Sequence, residues 1–296
     1  MSLIGARRYF VTFRTHQHVA RRLMCGAALV CGLRAAPVAA AEDQASLTIG
    51  GTGGEFATMR LLGDAFHEAN PAIRVTVLVG LGDTGGINAT LAGAVDVGTT
   101  SRPLSGQERD KGAAATEYGR TPLVFAVGPT TPGTKISTVQ LTGIYTGRLD
   151  KWPNGTRARP VLRSESDNVT LILKQQLPAI AEAITAAGQR HGMQFALTDQ
   201  DCAIAIANVP GAIGPMTLSY IRAAGLPLRP LALDGVTPNI QTIADGSYSA
   251  YETLYLITGP GPTPPARKFL TFVASTAGWK ILVETAHWVP DRTNPE

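Results

Sequence analysis

The feature that most constrains this fold is a repeated order of apolar strand, glycine-rich loop and helix. The repeat comprises strands at 47–49 and 73–79, glycine-rich loops at 50–54 and 80–86, and helical patterns from 59 and from 87. A third apolar strand follows at 95–98. Strands that alternate with helices in this way build a mainly parallel sheet with helices on both faces. The pattern therefore predicts an α/β fold.

The later chain continues the alternation and suggests two lobes. It predicts strands at 121–127, 160–162, 212–214 and 251–258, and helices at 139–145, 168–189 and 264–288. We interpret 126–129 and 249–254 as two crossings between the lobes. The predicted organisation is a signal peptide at 1–41, lobe 1 at 42–127, lobe 2 at 128–250 and a return segment of lobe 1 at 251–296. Open α/β sheets bind ligands beyond the carboxyl ends of their strands, so we expect a site in the cleft.

The first 41 residues have the pattern of a cleaved secretory signal. Arg21 and Arg22 precede an apolar run at 23–33, and three alanines at 39–41 form a small-residue cleavage site before Glu42. The apolar run is shorter than the ~20 residues of a membrane-spanning helix. The sequence thus predicts a periplasmic or secreted protein, and it leaves open whether export uses the general or the twin-arginine route.

Charge and composition exclude several functional classes. Six of the 26 basic residues, but none of the 22 acidic ones, lie at 1–41, so the remaining chain is slightly acidic and has no footprint for nucleic acid. Beyond residue 41 one cysteine remains, Cys202, which cannot form an internal disulfide. Three histidines remain, His67, His191 and His287, without metal-ligand or catalytic spacing, and there is no G-x-S-x-G motif. We therefore predict no metal, no cofactor and no enzymatic activity.

Residues 80–85 match G-x-G-x-x-G, the dinucleotide-binding pattern, but the match lacks its context. It does not lie at the first strand–helix turn, and residues 100–102 supply no acid for a ribose. The glycine-rich loops at 50–54 and 82–86 instead open helices, whose N-termini attract small anions. Together with the polar strand end at 99–102, they predict an anion site.

Several stretches resemble a known family. They are 50–56 (GGTGGEF), 82–87 (GDTGGI), 95–104 (VDVGTTSRPL), 141–147 (LTGIYTG) with Trp152, 210–214 (PGAIG) and the helices at 265–282. In order and spacing they resemble the phosphate-binding proteins, the periplasmic components of bacterial phosphate ABC transporters. The resemblance covers nearly all of the chain beyond residue 41. It implies a two-lobed periplasmic binding protein fold of type II. A protein of this kind is expected to close on a solute, to deliver it to an ABC transporter permease and to act as a monomer.

The resemblance also implies a set of ligand-binding residues. They are Gly54, Glu55, Phe56, Asp83, Thr84, Gly85, Ser101, Arg163, Ser166, Asp167 and Asn168. Arg163 stands at the place of the family's anion-pairing arginine, whose planar fork suits a tetrahedral oxyanion. Arg102 lies beside this set, where it could serve the ligand or form a structural ion pair.

The chain departs from the family at four places. It has Glu55 where the family has a hydroxyl residue, Asp83 where it has serine, and Ser101 where it has the acid that accepts the ligand proton. The family's Ser-Gly-Thr at 167–169 is here Asp-Asn-Val. Asp83 and Asp167 could equally be helix caps or ligand contacts.

Acids that face the ligand would repel phosphate near neutral pH unless they turn away or carry protons. The solute that the resemblance implies is phosphate or a related small oxyanion. The alternative, which these acids favour, is the same fold binding a different, non-phosphate solute, such as one that bears an amine, or acting as a sensor input.

Overall fold

The computed structural model describes residues 44–290, and the predicted signal peptide lies outside them. The strands are β1 (Ala45–Gly51), β2 (Ile73–Leu78), β3 (Val97–Thr100), β4 (Ala114–Val127), β5 (Lys135–Ile136), β6 (Arg159–Leu162), β7 (Gln194–Phe195), β8 (Ala212–Thr217), β9 (Arg229–Pro230), β10 (Ala232–Leu233) and β11 (Tyr251–Thr258). The helices are α1 (Phe56–Ala69), α2 (Gly82–Leu91), α3 (Gly106–Asp110), α4 (Thr138–Thr146), α5 (Asn168–Gln176), α6 (Pro178–Gly188), α7 (Asp199–Asn208), α8 (Leu218–Ala223), α9 (Ile240–Ala244), α10 (Pro264–Val273) and α11 (Thr276–Glu284). A short 3-10 helix, Gly53–Glu55, leads into α1.

The strands form one long sheet in the order β2-β1-β3-β11-β4-β8-β6-β7, with β9 beside β4. The pairs of β1 with β2 and β3, and of β6 with β7 and β8, are parallel. The central strands β11 and β4 are antiparallel to their neighbours. The α/β architecture with parallel sheets flanked by helices is thus confirmed.

β4 joins the two halves of the sheet. Its first part, up to Pro122, pairs with β11, and its second part, from Leu123, pairs with β8. The first half contains β1, β2, β3 and β11, and the second contains β6, β7 and β8. The lobe boundaries proposed from the sequence stay a prediction.

Two glycines let the elements of the first half approach closely. A Cβ on Gly51 would lie 1.9 Å from the Thr99 carbonyl oxygen, and one on Gly86 would lie 2.6 Å from the Gly51 Cα. Neither contact is sterically allowed, so β1, β3 and the start of α2 can meet only through glycine. This close packing brings the ends of β1 and β3 and the N-terminus of α2 to one place.

Each half of the sheet has its own core. In the first half, Phe66 of α1 packs edge-to-face against Phe269 of α10, with ring centroids 5.4 Å apart. In the second half, Phe125 of β4 lies edge-to-face with Tyr145 of α4 at 6.1 Å. The two cores are joined through β4, and the loops between them lie at this junction. Within residues 44–290, no helix is long and apolar enough to cross a membrane.

Candidate functional site

A small pocket lies between the two halves of the sheet. Its inner part, about 30 Å³, is lined by Thr52, Gly54, Asp83, Ser101, Arg163, Asp167, Asn168, Val169, Asp199 and Glu252. An outer part of about 190 Å³ shares five of these residues and opens past Leu81 and Leu197. Both volumes are below the ~300–1,000 Å³ of pockets for drug-sized molecules. The space suits a small solute.

Helix starts surround this pocket. α2 begins at Gly82, α5 at Asn168 and α7 at Asp199, so each directs the positive end of its dipole toward the pocket. The start of α2 has no side-chain cap, which leaves its first N–H groups for another acceptor. This arrangement favours an anion.

Arg163 is the only basic side chain among the described residues that line either part of the pocket. Its side chain is 5% exposed, and Nη2 donates a hydrogen bond of 2.6 Å to Asp167 Oδ2. Nε and Nη1 have no hydrogen-bond partner. Burial lowers the pKa of Arg163, but the Asp199 and Asp167 carboxyl groups raise it by more, so the guanidinium stays charged. A buried cation with two unused donors is suited to hold an oxyanion.

Asp167 is both a helix cap and a support for Arg163. Its Oδ1 accepts a hydrogen bond of 3.0 Å from the Val169 N–H, which caps α5, while Oδ2 accepts from Arg163. Both oxygens are therefore in use within the protein. Asp167 orients the arginine and neutralises part of its charge.

Asp83 lies against Ser101, which comes from the neighbouring strand end. Asp83 Oδ1 accepts from the Ser101 N–H at 2.5 Å and from the Thr100 hydroxyl at 2.7 Å. Oδ2 receives only a long contact of 3.4 Å from the Ser101 hydroxyl, so it remains available to a ligand. Asp83 lies in the first turn of α2 but makes no capping hydrogen bond. The carboxylate of Asp83 therefore lies next to Ser101, the position at which the resembling family has its acid.

Asn168 connects the two sides of the pocket. Its Nδ2 donates to the carbonyl oxygen of Ser101 at 3.0 Å and to the Ser101 hydroxyl at 2.8 Å. Ser101 follows β3 in the first half of the sheet, and Asn168 begins α5 in the second. We call this contact the Asn168 latch.

The Glu55 side chain points away from the pocket. It is fully buried, and its carboxylate accepts from the Ser219 hydroxyl at 2.7 Å and the Tyr118 hydroxyl at 3.1 Å, and lies 2.8 Å from His287 Nε2. We refer to Glu55, Tyr118, Ser219 and His287 as the Glu55 cluster. Both carboxylate oxygens are occupied, so Glu55 adds no side-chain contact to the pocket.

Four other predicted residues do not line the pocket. Phe56, Thr84, Gly85 and Ser166 are absent from its walls, whereas Gly54, Asp83, Ser101, Arg163, Asp167 and Asn168 come together there. That these six bind a ligand stays a prediction.

Arg102 forms a structural ion pair. Its guanidinium donates to both Glu108 oxygens, at 2.7 and 2.9 Å, and to the Thr84 hydroxyl at 3.2 Å. The hydrogen bond from Arg102 lowers the pKa of Glu108 to about 2. The positive charge of Arg102 is therefore paired outside the pocket.

Thr52, Asp199 and Glu252 line the pocket but are not among the ligand-binding residues predicted from the sequence. Thr198-Asp199-Gln200-Asp201 matches a capping box, and the Thr198 hydroxyl does accept from the Asp201 N–H at the start of α7. Glu252 is a lone acid within the apolar strand 251–258. Both signals were present in the sequence.

Burial raises the pKa values of Asp199 and Glu252. It raises the pKa of Asp199 to about 6, while Arg163 lowers this pKa and the Asp167 and Asp83 carboxyl groups raise it. Burial also raises the pKa of Glu252 well above its usual range, and the Asp199 carboxyl adds to the effect. Burial therefore favours the protonated form of Glu252, which can donate a hydrogen bond. Among the described residues, no cluster of acids, histidines or cysteines is arranged to hold a metal ion.

Comparisons with known proteins agree with this architecture. The chain is 25% identical over 258 residues to the phosphate-binding protein PstS of Bacillus subtilis, covering 84% of this chain and 82% of that one. A phosphate ABC transporter substrate-binding protein from Clostridium perfringens, solved with bound phosphate, superposes with a TM-score of 0.70 at 19% identity, over 82% of this chain and 99% of that one. A phosphate-binding protein from Stenotrophomonas maltophilia gives a TM-score of 0.62 at 14% identity, over 84% and 91%.

The two structures show that the fold is that of type II periplasmic binding proteins. Residues 36–277, most of the chain, match the family described as the PBP superfamily domain. This chain belongs to that family.

Proposed function

We propose that this chain is the exported solute-binding component of an ABC-type uptake system and that it binds phosphate or a related small oxyanion as a monomer. The observation that carries the proposal is Arg163, buried with two unused donors in a pocket surrounded by helix starts. The Bacillus subtilis relative is named a phosphate-binding protein and matches this chain over 82% of its own length. This match supports the same ligand class here.

Asp83 supplies the complementary group. Its Oδ2 can accept the proton of a partly protonated oxyanion, while Arg163 and the N–H groups at the start of α2 donate to the unprotonated oxygens. A ligand with both a proton and negative oxygens matches this set. Sulfate, which carries no proton at neutral pH, leaves Asp83 Oδ2 facing an anionic oxygen without a hydrogen between them.

A thermal-shift panel tests the proposal. Phosphate, arsenate, sulfate and a diamine are each added to the protein at pH 6. A ligand at 100 times its dissociation constant adds about 2.7 kcal/mol of stability, or on the order of 5–10 °C in melting temperature for a chain of this size. We expect shifts with phosphate and arsenate. A shift with the diamine alone would establish the amine-bearing solute instead, and the proposed function would be wrong.

A further inference from the structure

Two acids in the pocket have no place in a simple anion site. Glu252, on β11, is 3% exposed and lines the inner part of the pocket. Asp199, at the start of α7, lies 3.7 Å from Arg163 Nη1, beyond hydrogen-bond distance, and its side chain is 15% exposed. Asp199 also packs against the opposite wall, where a Cβ on Gly53 would lie 2.7 Å from its Oδ2. An oxyanion in the inner pocket therefore meets both carboxyl groups.

If every acid were ionised, the pocket would repel an anion. Asp83, Asp167, Asp199 and Glu252 would contribute four negative charges against the single positive charge of Arg163. A protonated carboxyl group removes the repulsion and adds a hydrogen-bond donor.

Building on the proposed function, we infer that Asp199 and Glu252 are specificity-determining residues that present carboxyl protons to the bound oxyanion, and that ligand binding draws one proton from solvent onto Asp199. Glu252 contributes a neutral donor in both the free and the bound protein. Asp199 changes state, because the anion competes with it for Arg163.

The competition follows from the geometry of Arg163. Its Nη1 lies 3.7 Å from Asp199 Oδ1 and has no hydrogen-bond partner, so an incoming anion takes it. In the free protein, Arg163 lowers the pKa of Asp199, while burial and the Asp167 and Asp83 carboxyl groups raise it to about 6. Once the anion shares Arg163 and adds its own negative charge, burial and the Asp167 and Asp83 carboxyl groups outweigh the hydrogen bond from the Asp199 backbone N–H, and the protonated form is favoured.

Other charged groups surround these two acids. The titratable and charged groups on the elements packed around them are Glu55, Asp83, Glu117, Tyr118, Arg120, Arg159, Arg163, Asp167, Lys174, Asp201, Cys202, Tyr220, Tyr251 and Tyr255. Lys174 is paired with Glu165, and Arg120 with Glu117, outside the pocket. Since Arg163 is the only basic side chain among the described residues in the pocket walls, no second cation can keep Asp199 ionised beside an anion.

The pH dependence of phosphate affinity is set by Asp199. Below about pH 6, Asp199 is already protonated in the free protein, so binding takes up no proton there. Above this pH, Asp199 is ionised in the free protein and gains a proton on binding. Phosphate affinity must then fall by up to about tenfold per pH unit, in addition to the change from the titration of phosphate itself.

Calorimetric titration with phosphate, in buffers of different ionisation enthalpy, counts the protons taken up. Wild type is compared with Asp199→Asn between pH 5.5 and 8.5, so that the protons of phosphate itself cancel. Above pH 7, we expect wild type to take up about one proton more than Asp199→Asn. The phosphate affinity of wild type relative to that of Asp199→Asn should fall about tenfold per pH unit. Asp201→Asn is the matched control, because it removes the same charge two residues further along α7 outside the pocket. It should behave as wild type.

The Glu252 variants separate charge from hydrogen bonding. Glu252→Gln keeps an uncharged donor and should bind phosphate as wild type does, whereas Glu252→Met loses the donor and should bind about tenfold more weakly at every pH. Circular dichroism verifies that each variant is folded.

Two results would overturn the inference and leave the proposed function standing. One is equal proton uptake by wild type and Asp199→Asn at every pH while both bind phosphate. The other is phosphate binding that is tenfold tighter in Glu252→Gln than in wild type, which would show that Glu252 carries a charge. Absence of heat from phosphate and arsenate at every pH would refute the proposed function, and the inference with it.

Discussion

At the scale of single residues, two arginines near the glycine-rich loops have opposite environments. The Arg102 guanidinium donates hydrogen bonds to both carboxylate oxygens of Glu108. Arg163 gives one nitrogen to Asp167 and keeps Nε and Nη1 unused in a buried position. Buried donors without partners are rare because each one loses its hydration without compensation. Arg163 therefore keeps a capacity for binding that Arg102 does not have.

Arg163→Lys should keep the charge and lose the planar fork. If Arg163 makes two hydrogen bonds to the anion, losing one costs about 1.5–3 kcal/mol, roughly a 10- to 150-fold weaker phosphate affinity by calorimetry. Arg159→Lys is the matched control, since Arg159 begins β6, the strand that Arg163 directly follows, but donates to the carbonyl oxygen of Pro210 at the surface. Equal affinities of both variants and wild type would remove Arg163 from the site.

The side chains of the site could be predicted only in part from the sequence. Arg163 and Asp167, whose spacing is local to one strand end, both line the pocket. Glu55 does not reach the pocket because its side chain is bound by His287 and Ser219, both more than 160 residues away. Contacts of that separation leave no local pattern. Asp199 was missed because its helix was not recognised.

At the scale of elements, the Glu55 cluster joins four segments. Glu55 ends the 3-10 helix that leads into α1, Tyr118 lies on β4, Ser219 on α8 and His287 beyond α11. Burial raises the pKa of Tyr118 well above its usual range, with Glu55 adding to the effect, so its hydroxyl remains a donor. A fully buried carboxylate with three polar partners stabilises one arrangement of these segments, because any other arrangement leaves polar groups unpaired.

Glu55→Gln should destabilise the fold by about 1–3 kcal/mol in urea unfolding, because the amide cannot accept from all three partners. Glu117→Gln is the control, since its ion pair with Arg120 is partly exposed. Such a pair contributes about 0–1 kcal/mol. Phosphate affinity of the folded Glu55→Gln protein should match wild type. A large loss of affinity without a loss of stability would show that Glu55 contacts the ligand.

Elements with strong local patterns were predicted well. The strand 251–258 coincides with β11, and the helical stretch 168–189 corresponds to α5 and α6. The strand at 121–127 proved to be only the second part of β4, because residues 114–120 are polar enough to resemble a loop. α7 was also missed, since its alternating Cys-Ala-Ile-Ala-Ile segment resembles a strand as much as a helix.

At the scale of the whole molecule, contacts between the two halves of the sheet surround the pocket. The Asn168 latch joins α5 to the end of β3, Asp199 packs against Gly53, and Ser219 reaches Glu55. The halves are connected through β4, where the pairing changes from β11 to β8 after Pro122. We expect the halves to rotate about this junction, so that the contacts around the pocket form in a closed state.

Small-angle scattering should detect this movement. We expect a smaller radius of gyration with saturating phosphate than without it, and an about tenfold weaker phosphate affinity for Asn168→Ala, which removes both hydrogen bonds of the latch. Asn88→Ala, an exposed asparagine on α2, is the control. An unchanged radius at saturation would exclude hinge closure.

The contact between Asp83 and Ser101 has an evolutionary consequence. The phosphate-binding proteins that this chain resembles carry the acid and the hydroxyl at these two positions in the opposite order. Since the two side chains touch, the carboxylate reaches the same region of space from either position. A stepwise exchange passes through two acids or two hydroxyls, and two acids ~4 Å apart repel by about 4 kcal/mol at an effective dielectric of 20. A path through two hydroxyls avoids this repulsion, so we expect substitutions at positions 83 and 101 to be coupled rather than additive.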